Sequence, residues 1–352
     1  MDLQASLDTH RQKIDVDNFD LTIREIVSMV RTGEIKRSPS YQRKFRWKEE
    51  DESRLIESLL LGLPIPNIFV ATNPDGSWEL VDGLQRISTV LHFVLDQKNA
   101  DDFILLQEMH KTNSLSLENL AKLASFNGLQ FSELPQPLQF LFLKRQFRVT
   151  ALSDKSDHLA RFDLFERLNR GGIALSPQEV RDCVYRGSFS SLITELATNP
   201  SYLKLIKVQQ LHKNDGTLEE QVLKFFAYLN WRDNFNGSVT DFLNKYMESR
   251  SQDLRIAKDK AEFIDVMEAL QPHISGPILR KNTKLTPLNQ FEAILVATAE
   301  VLRKKNEIHP QKGWLDDKQL TKFSSGGTNT KAMLKGRIQR ASELLLGAPV
   351  EE

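Results

Sequence analysis

The spacing of hydrophobic residues in the first half of the chain predicts helices mixed with strands. Apolar positions recur at helical spacing from Asp17 to Thr32 and again from about Lys48 to Leu61, which predicts two amphipathic helices. Residues Pro64–Ala71, which end in Ile-Phe-Val-Ala, lead into a predicted buried strand. The turn-forming residues 73–76 join this strand to a returning one, Ser77–Val81, so a hairpin is expected here.

The second strand of this hairpin is followed by a glycine turn and then by a helix. Asp82-Gly83 interrupts the strand pattern, and the residues from Gln85 onward return to helical spacing. A glycine at such a turn allows unusual backbone angles and a close approach of the backbone to a ligand. This strand–turn–helix corner is therefore the first candidate site.

Beyond the corner the pattern changes from mixed to helical. A mainly helical insertion is predicted over about residues 97–144, followed by a last strand at Gln146–Leu152. The remainder reads as helices, and Ser176-Pro177-Gln178-Glu179 is a capping box that begins one of them. The prediction is an α+β protein, with a mixed-sheet domain at residues 1–153 and an all-helical domain at residues 154–352.

Composition limits the classes of protein that the chain can belong to. Its 352 residues, 40% hydrophobic and 27% charged, are typical of a soluble globular protein with room for two domains. A single cysteine, Cys183, excludes an internal disulfide framework and a multi-cysteine metal site. The first residues form no signal pattern, and no apolar run approaches the roughly 20 residues that span a bilayer. We therefore expect a cytoplasmic protein with no membrane contact.

Charge is balanced overall but basic towards the C-terminus. Between Gly276 and Arg340 there are 13 Lys or Arg against 5 Asp or Glu, in a chain of zero formal net charge. Such a stretch can contact the phosphates of DNA, but it is also typical of a solvated helical surface. The DNA-binding hypothesis names Lys304, Lys305, Lys331, Lys335 and Arg337.

Residues Val81–Arg86 combine several features of an anion site. The helix after Gly83 presents unpaired N–H groups and a partial positive charge, and Arg86 adds a guanidinium suited to phosphate oxygens. Asp82 is placed to hold a metal ion or to orient a nucleophile. The same residues also make an ordinary turn in which an aspartate caps the next helix, so the pattern alone leaves both interpretations open.

Two further stretches carry more polar groups than their local structure needs. Residues 39–47, Pro-Ser-Tyr-Gln-Arg-Lys-Phe-Arg-Trp, suit recognition of a base with phosphates, or else an amphipathic loop anchored by its rings. Residues 165–172 are typical of a helix end and a glycine turn, but Asn169 and Arg170 are not needed for that turn. No Walker-type loop, glycine-rich dinucleotide fingerprint or paired histidines occur in the sequence.

Taken in order, these motifs resemble the DGQQR-motif family, which includes the N-terminal domain of GmrSD-type modification-dependent restriction systems. The resemblance rests on Ser38–Trp47, on Ile65-Pro66 before a strand, on Asp82-Gly83-Leu84-Gln85-Arg86, on Phe165–Asn169 and on Leu175–Arg181. It covers about residues 20–187, and the closing Gly326–Ile338 is similar to single-domain members. Each motif alone is unspecific, whereas the ordered set is specific.

The resemblance implies a ParB/sulfiredoxin-like fold with a nucleoside triphosphate bound at the corner and Mg²⁺ as its cofactor. It also implies that triphosphate hydrolysis is coupled to DNA restriction in antiphage defence. Carried over to this chain, the catalytic residues are Asp82, Gln85 and Arg86, with Asp82 also holding the metal. The implied nucleotide-binding residues are Tyr41, Gln42, Arg43, Gly83, Asn169 and Arg170.

The chain departs from the family pattern in two ways. Leu84 stands where the motif has its first glutamine, which puts hydrolysis in question more than binding. Larger members carry a nuclease with a histidine-based metal site, and no such motif is found here, so DNA cleavage would need a separate nuclease subunit. Three hypotheses follow: an NTPase, a nucleotide-gated DNA-binding switch with little turnover, and a partner-docking scaffold without a nucleotide. Turnover separates the first from the second, and nucleotide binding separates both from the third.

Overall fold

The computed structural model describes residues 3, 15–36, 47–73, 75–153, 176–185, 187–213, 215–250, 255–281, 283–304 and 307–351. The chain divides into two compact units, Met1–Ala174 and Leu175–Glu352. The predicted boundary after residue 153 and this division are separated by residues 154–174, which lie outside the described part. Of the predicted site residues, Tyr41, Gln42, Arg43, Asn169, Arg170 and Lys305 also lie outside it.

The described part of the first unit contains a mixed sheet with helices. Its strands are β1 (Val16–Thr22), β2 (Ile35–Lys36), β3 (Ile68–Thr72), β4 (Trp78–Asp82) and β5 (Gln146–Leu152). Its helices are α1 (Ile23–Arg31), α2 (Glu49–Leu61), α3 (Leu84–Val94), α4 (Ala100–Glu108) and α5 (Gln136–Leu143), with 3₁₀ turns at Ala124–Phe126 and Phe131–Glu133. The strand order is β1-β5-β3-β4-β2. β1 and β3 run antiparallel to β5 and β4 respectively, whereas the β3–β5 and β2–β4 pairs are parallel.

The predicted second helix and the hairpin are confirmed. α2 begins after Lys48 and ends at Gly62, whose φ of 76° is in the left-handed region that glycine favours. In the hairpin turn the N–H of Gly76 donates to the carbonyl of Asn73 at 2.9 Å. The insertion predicted at residues 97–144 is α-helical only at its two ends, in α4 and α5.

The helix predicted from Asp17 begins only at Ile23, because the residues before it belong to β1. This strand pairs with β5 along its whole length, from Val16–Leu152 to Thr22–Gln146. Thr22 and Glu25 form the capping box that starts α1, with the Glu25 N–H donating to Thr22 Oγ1 at 3.2 Å. Pairing with a strand far along the chain therefore overrides the local helical spacing.

The core of the first unit fixes the direction of α3 relative to the sheet. α3 is buried from Ile87 to Phe93, and Ile68, Val70 and Leu80 belong to the same hydrophobic cluster. Each fully buried aliphatic side chain of this kind stabilises the fold by roughly 1.5–3 kcal/mol. The turn between β4 and α3 is therefore held between two well-packed elements.

The described part of the second unit is helical, as predicted. Its helices are α6 (Pro177–Val184), α7 (Ser188–Ala197), α8 (Pro200–Leu205), α9 (Thr217–Trp231), α10 (Val239–Ser249), α11 (Ile256–Leu270), α12 (Leu288–Arg303), α13 (Lys318–Phe323) and α14 (Lys331–Leu345). Short 3₁₀ turns lie at Gln210–Lys213, Arg232–Asn234, Gln271–His273 and Trp314–Asp316. α12 is buried along most of its length and packs against α9, α11 and α14. None of the helices in the described part of the chain has the length and apolar content needed to cross a membrane.

Candidate functional site: the strand–turn–helix corner

The turn between β4 and α3 requires glycine for two separate reasons. Gly83 has a φ of 101°, in the region that side-chain-bearing residues rarely adopt. A Cβ placed on Gly83 would also lie only 2.3 Å from Cδ1 of Ile68. The Ile68 side chain therefore occupies the space that a side chain at residue 83 would need. A backbone contact between Gly83 and a nucleotide stays a prediction.

A β-bulge lies directly before the corner. Asp82 is opposite Phe69 on β3, while Leu80 is opposite the next residue, Val70. Val81 is therefore the extra residue on β4, and it interrupts the alternation of the strand one position before Asp82. Bulges of this kind re-aim the side chains that follow them and occur often beside active sites.

Arg86 connects the end of β4 to the start of β3. Its Nη2 donates to Asp82 Oδ2 at 2.6 Å, and its Nη1 donates to the carbonyls of Pro66 at 2.7 Å and Asn67 at 3.1 Å. The Arg86 side chain is only 11% exposed, whereas that of Asp82 is 35% exposed. Arg86 is thus part of the scaffold of the corner, and Asp82 is the carboxylate that remains open to solvent.

Within the described part of the chain, no side chain caps the first turn of α3. Gly83 is its N-cap residue and makes no side-chain hydrogen bond to the helix, while the carboxylate of Asp82 is engaged with Arg86. The interpretation of Asp82 as an ordinary helix cap is therefore wrong. The start of a helix carries a partial positive charge from its first N–H groups, which favours an anion nearby.

Gln85 connects the corner to the chain that precedes α2. Its Oε1 accepts a hydrogen bond from the backbone N–H of Trp47 at 3.2 Å. Trp47 is the first described residue after residues 37–46, which carry Tyr41, Gln42 and Arg43. The structure thus brings Asp82, Gly83, Gln85 and Arg86 together, and it places the end of the second motif beside them.

Two features of the corner were not predicted from the sequence. Glu79 is a buried carboxylate on β4, three positions before Asp82, and alternation along a strand gives no sign of a buried acid. The carbonyls of Pro66 and Asn67 accept from Arg86, although the sequence indicated only that Ile65-Pro66 precedes a strand. Within the described residues, no group of three or more His, Cys, Asp or Glu side chains could hold a metal ion.

Comparison with known families bears directly on this arrangement. Residues 23–186 match the family described as GmrSD restriction endonuclease, N-terminal domain. This part of the chain is a GmrSD-type N-terminal domain. Its family indicates a protein of a restriction or defence system. No curated protein and no solved structure matches the chain.

The predicted DNA contacts lie C-terminal to the GmrSD-type domain, and the structure separates them into two groups. Lys304, Lys331 and Lys335 are exposed. Arg337 is 1% exposed; its Nη2 donates to Glu292 Oε1 at 2.6 Å and its Nη1 to the Thr328 carbonyl at 2.9 Å. Arg337 is therefore buried in the second unit and unavailable to phosphates, which corrects its place in the DNA-binding hypothesis.

The last helix matched to the GmrSD-type domain, α6, joins a buried ionic network of the second unit. Arg181 on α6 donates through Nε to Gln178 Oε1 at 2.9 Å and through Nη2 to Glu220, which also accepts from Lys224 at 3.1 Å. Burial raises the pKa of Glu220, but Lys224 and Arg181 outweigh it and hold that pKa below its ordinary value. The carboxylate is therefore ionised, and Arg181 serves as a structural residue.

Proposed function

We propose that the GmrSD-type domain binds a nucleoside triphosphate at the corner and hydrolyses it, as a component of a DNA restriction or antiphage defence system. The observation that carries the proposal is the placing of Asp82. Its carboxylate is one-third exposed, one of its oxygens is fixed by Arg86, and it stands directly before Gly83, the N-cap residue of α3. A carboxylate next to anion-favouring N–H groups suits a phosphate chain with a bound cation.

The proposed chemistry uses phosphate-binding groups, a carboxylate that would hold the cation, and an arginine that orients this carboxylate. The first-turn N–H groups of α3 and the guanidinium of Arg43 would donate hydrogen bonds to the phosphate oxygens. Arg86, through its hydrogen bond to Asp82, would keep that carboxylate in one orientation. Asp82 is the residue that would hold Mg²⁺, and one carboxylate is enough because Mg²⁺ is commonly bound by one or two carboxylates together with substrate phosphates. When bound, the cation would neutralise charge that develops on the transferred phosphoryl group. Tyr41, Gln42, Asn169 and Arg170 are proposed to contact the remainder of the nucleotide.

A nucleotide-gated switch with little turnover is the second candidate. Two observations favour it: Leu84 replaces the first glutamine of the family motif, and Arg86 already donates to Asp82, Pro66 and Asn67. An arginine held in this way stabilises developing charge less freely than an unpaired one. Nucleotide binding without hydrolysis would then control DNA or partner binding.

The deciding experiment measures binding and turnover with Asp82→Ala. Calorimetric titration with each of the four ribonucleoside triphosphates, with and without Mg²⁺, gives affinity, and phosphate release gives turnover. We expect Asp82→Ala to abolish hydrolysis and to retain weakened binding, because the variant keeps the N–H groups and loses the metal-holding carboxylate. Asp101→Asn, an exposed aspartate on α4, is the matched control. Unchanged hydrolysis in Asp82→Ala would place the catalytic group elsewhere, and wild-type protein that binds no triphosphate would leave only the scaffold hypothesis.

We propose further that the exposed lysines of the second unit bind duplex DNA without sequence preference. Lys304, Lys331 and Lys335 are exposed, and Lys331 Nζ donates to the Asp233 carbonyl at 3.2 Å. Reversing these three charges should weaken binding uniformly and reduce its salt dependence, since each lost phosphate contact releases one counterion fewer. An anisotropy series from about 50 to 200 mM salt measures this effect. Absence of duplex binding at the low-salt end would favour docking of an acidic partner, such as a separate nuclease subunit.

A further inference from the structure

An aromatic residue outside the hydrophobic core lies next to Asp82 on the sheet. Phe69 on β3 is the strand partner of Asp82 on β4. Its chain neighbours Ile68 and Val70 are fully buried in the hydrophobic cluster, whereas Phe69 is partly exposed and is not among the described residues that form or contact this cluster. Successive strand residues point to opposite faces of a sheet, so the Phe69 side chain lies on the face opposite to the cluster.

The side chains of Phe69 and Asp82 lie on the same face of the sheet. Val81 is the extra residue of the bulge, so the pairing moves from Leu80 with Val70 directly to Asp82 with Phe69. Residues opposite each other in an antiparallel pair have Cβ atoms about 4.5–5.5 Å apart. A partly exposed ring therefore lies beside a carboxylate that is itself 35% exposed.

Arg86 fixes both sides of this arrangement. Its Nη1 donates to the carbonyls of Pro66 and Asn67, which lead into β3, and its Nη2 donates to Asp82. The same guanidinium thus holds the start of the strand that carries Phe69 and the carboxylate at the end of β4. A surface that is ordered in advance loses less conformational entropy when it binds a ligand.

We propose that the base of the bound nucleotide stacks on Phe69, while its phosphates lie at Asp82 and the start of α3. The inference rests on the nucleotide-binding function proposed above and adds to it a contact for the base. A carboxylate suited to a cation with phosphates and an aromatic ring beside it match the two chemically different ends of a nucleotide.

The strand on the other side of Phe69 indicates little discrimination between bases. There Phe69 is the partner of Thr150 on β5. Thr150 is 8% exposed, and its Oγ1 donates to Asn18 Oδ1 at 2.8 Å, so its hydroxyl proton is already used. Stacking itself tolerates any base because every base has a π face. We therefore expect Phe69 to contribute similarly to the binding of all four ribonucleoside triphosphates.

The test compares nucleotides with ribose 5-triphosphate, which has the sugar and phosphate chain of a nucleotide but no base. Affinities are measured by calorimetric titration of the full chain with Mg²⁺. We expect Phe69→Leu to weaken binding of each nucleotide by about three- to tenfold, the scale of one aromatic pair, and to leave binding of ribose 5-triphosphate unchanged. Phe69→Tyr keeps the ring and should stay near the wild-type values. Phe140→Leu, which replaces an exposed phenylalanine on α5, is the matched control.

Several outcomes would overturn the inference. Unchanged nucleotide binding in Phe69→Leu would exclude stacking, and equal weakening of nucleotides and ribose 5-triphosphate would mean that the ring acts on the phosphate corner. The wild-type protein gives a check that is independent of how the variants fold: stacking requires nucleotides to bind more tightly than ribose 5-triphosphate, and equal affinities would refute it. Failure of the proposed function has a different signature, because the wild-type protein would then bind neither ligand, and both proposals would be refuted.

Discussion

The corner of the first unit and the ionic network of the second are both built around an arginine paired with a carboxylate, but only one of them remains open. At the corner Arg86 is largely buried, while its partner Asp82 keeps about a third of its side-chain surface exposed. In the network Lys224 links the Glu220 carboxylate to Glu292 at 3.9 Å, and Glu292 and its partner Arg337 are almost completely buried. The same arginine–carboxylate pairing therefore serves two ends: the Arg86–Asp82 pair leaves a carboxylate accessible to a ligand, whereas the Arg337–Glu292 pair only stabilises the packing of helices. The exposure of the carboxylate, more than that of the arginine, separates the two pairs.

The largest effect is expected from breaking the buried Arg337–Glu292 ion pair. Arg337→Met should destabilise the protein by about 3–5 kcal/mol, because it leaves the carboxylate of Glu292 buried without its main partner. Denaturant unfolding followed by circular dichroism measures the loss. Lys335→Met, two positions away and exposed, should change stability little. Adding Glu292→Leu to Arg337→Met should recover much of the loss, and a double variant as unstable as the single one would contradict the ion-pair explanation.

The next effect concerns the geometry of the open corner. Gly83→Ala should cost about 2–4 kcal/mol, because alanine is strained at a φ of 101° and its Cβ meets Ile68. Shortening that side chain with Ile68→Val removes the contacting Cδ1 atom, so the double variant should regain part of the stability. The backbone strain should persist in the double variant. Thermal unfolding of the two single variants and the double variant separates these contributions, and a Gly83→Ala protein of wild-type stability would contradict both of them.

Arg86 tests whether the open corner depends on its buried arginine. Arg86→Ala should weaken triphosphate binding by about 1.5–3 kcal/mol, since Asp82 loses its partner and the site loses a positive charge. Arg86→Lys keeps the charge but cannot reproduce the planar fork that reaches Asp82, Pro66 and Asn67, so it should recover only part of the binding. Calorimetry gives the affinities. Full recovery with lysine would mean that charge alone matters at this position.

The smallest effect is expected from the dependence of stability on pH, and it should come from Glu220 in the buried ionic network of the second unit. The pKa of Glu220 is held below its ordinary value of 4.5 in the folded protein, chiefly by Lys224 and Arg181 against the opposing effect of burial. A carboxyl with a lowered folded pKa contributes stability above its unfolded pKa and loses it as the pH falls through the folded value. Unfolding free energy should therefore decline below about pH 4.5, and Glu220→Gln should flatten this decline. Glu219→Gln is the neighbouring control, and equal slopes for the two variants would remove Glu220 from the explanation.

Local patterns predicted most of the corner correctly. The turn residues 73–76 and the Asp82-Gly83 break are encoded next to the elements that they separate, so the hairpin and α3 follow directly from the sequence. β1 could not be predicted in this way. It is an edge strand whose outer residues are mostly exposed, and its conformation depends on pairing with β5.

The burial of Arg337 could have been predicted from its position in the helical pattern of α14, although its charge suggested an exposed residue. Leu334, Arg337, Ile338 and Ala341 follow helical spacing and are all buried on α14, whereas Lys331 and Lys335 are exposed. Helical periodicity therefore assigns Arg337 to the inner face, although residue type suggests the outer one. The bulge at Val81 and the hydrogen bond from Arg86 to the Pro66 carbonyl could not be predicted from local sequence, because both depend on how β3 pairs with β4.

The position of α6 has a consequence for how proteins of this kind can be divided and recombined. This helix falls inside the segment shared with the GmrSD-type family, residues 23–186, but it folds as part of the second unit, Leu175–Glu352. A protein cut after residue 186 would keep Arg181 and lose Glu220 and Asn244, two of the partners of its buried guanidinium. The end of the family match and the start of the second compact unit are thus offset by one helix. Replacing the part of this chain after residue 186 would therefore require a new carboxylate for Arg181 or a different residue in its place.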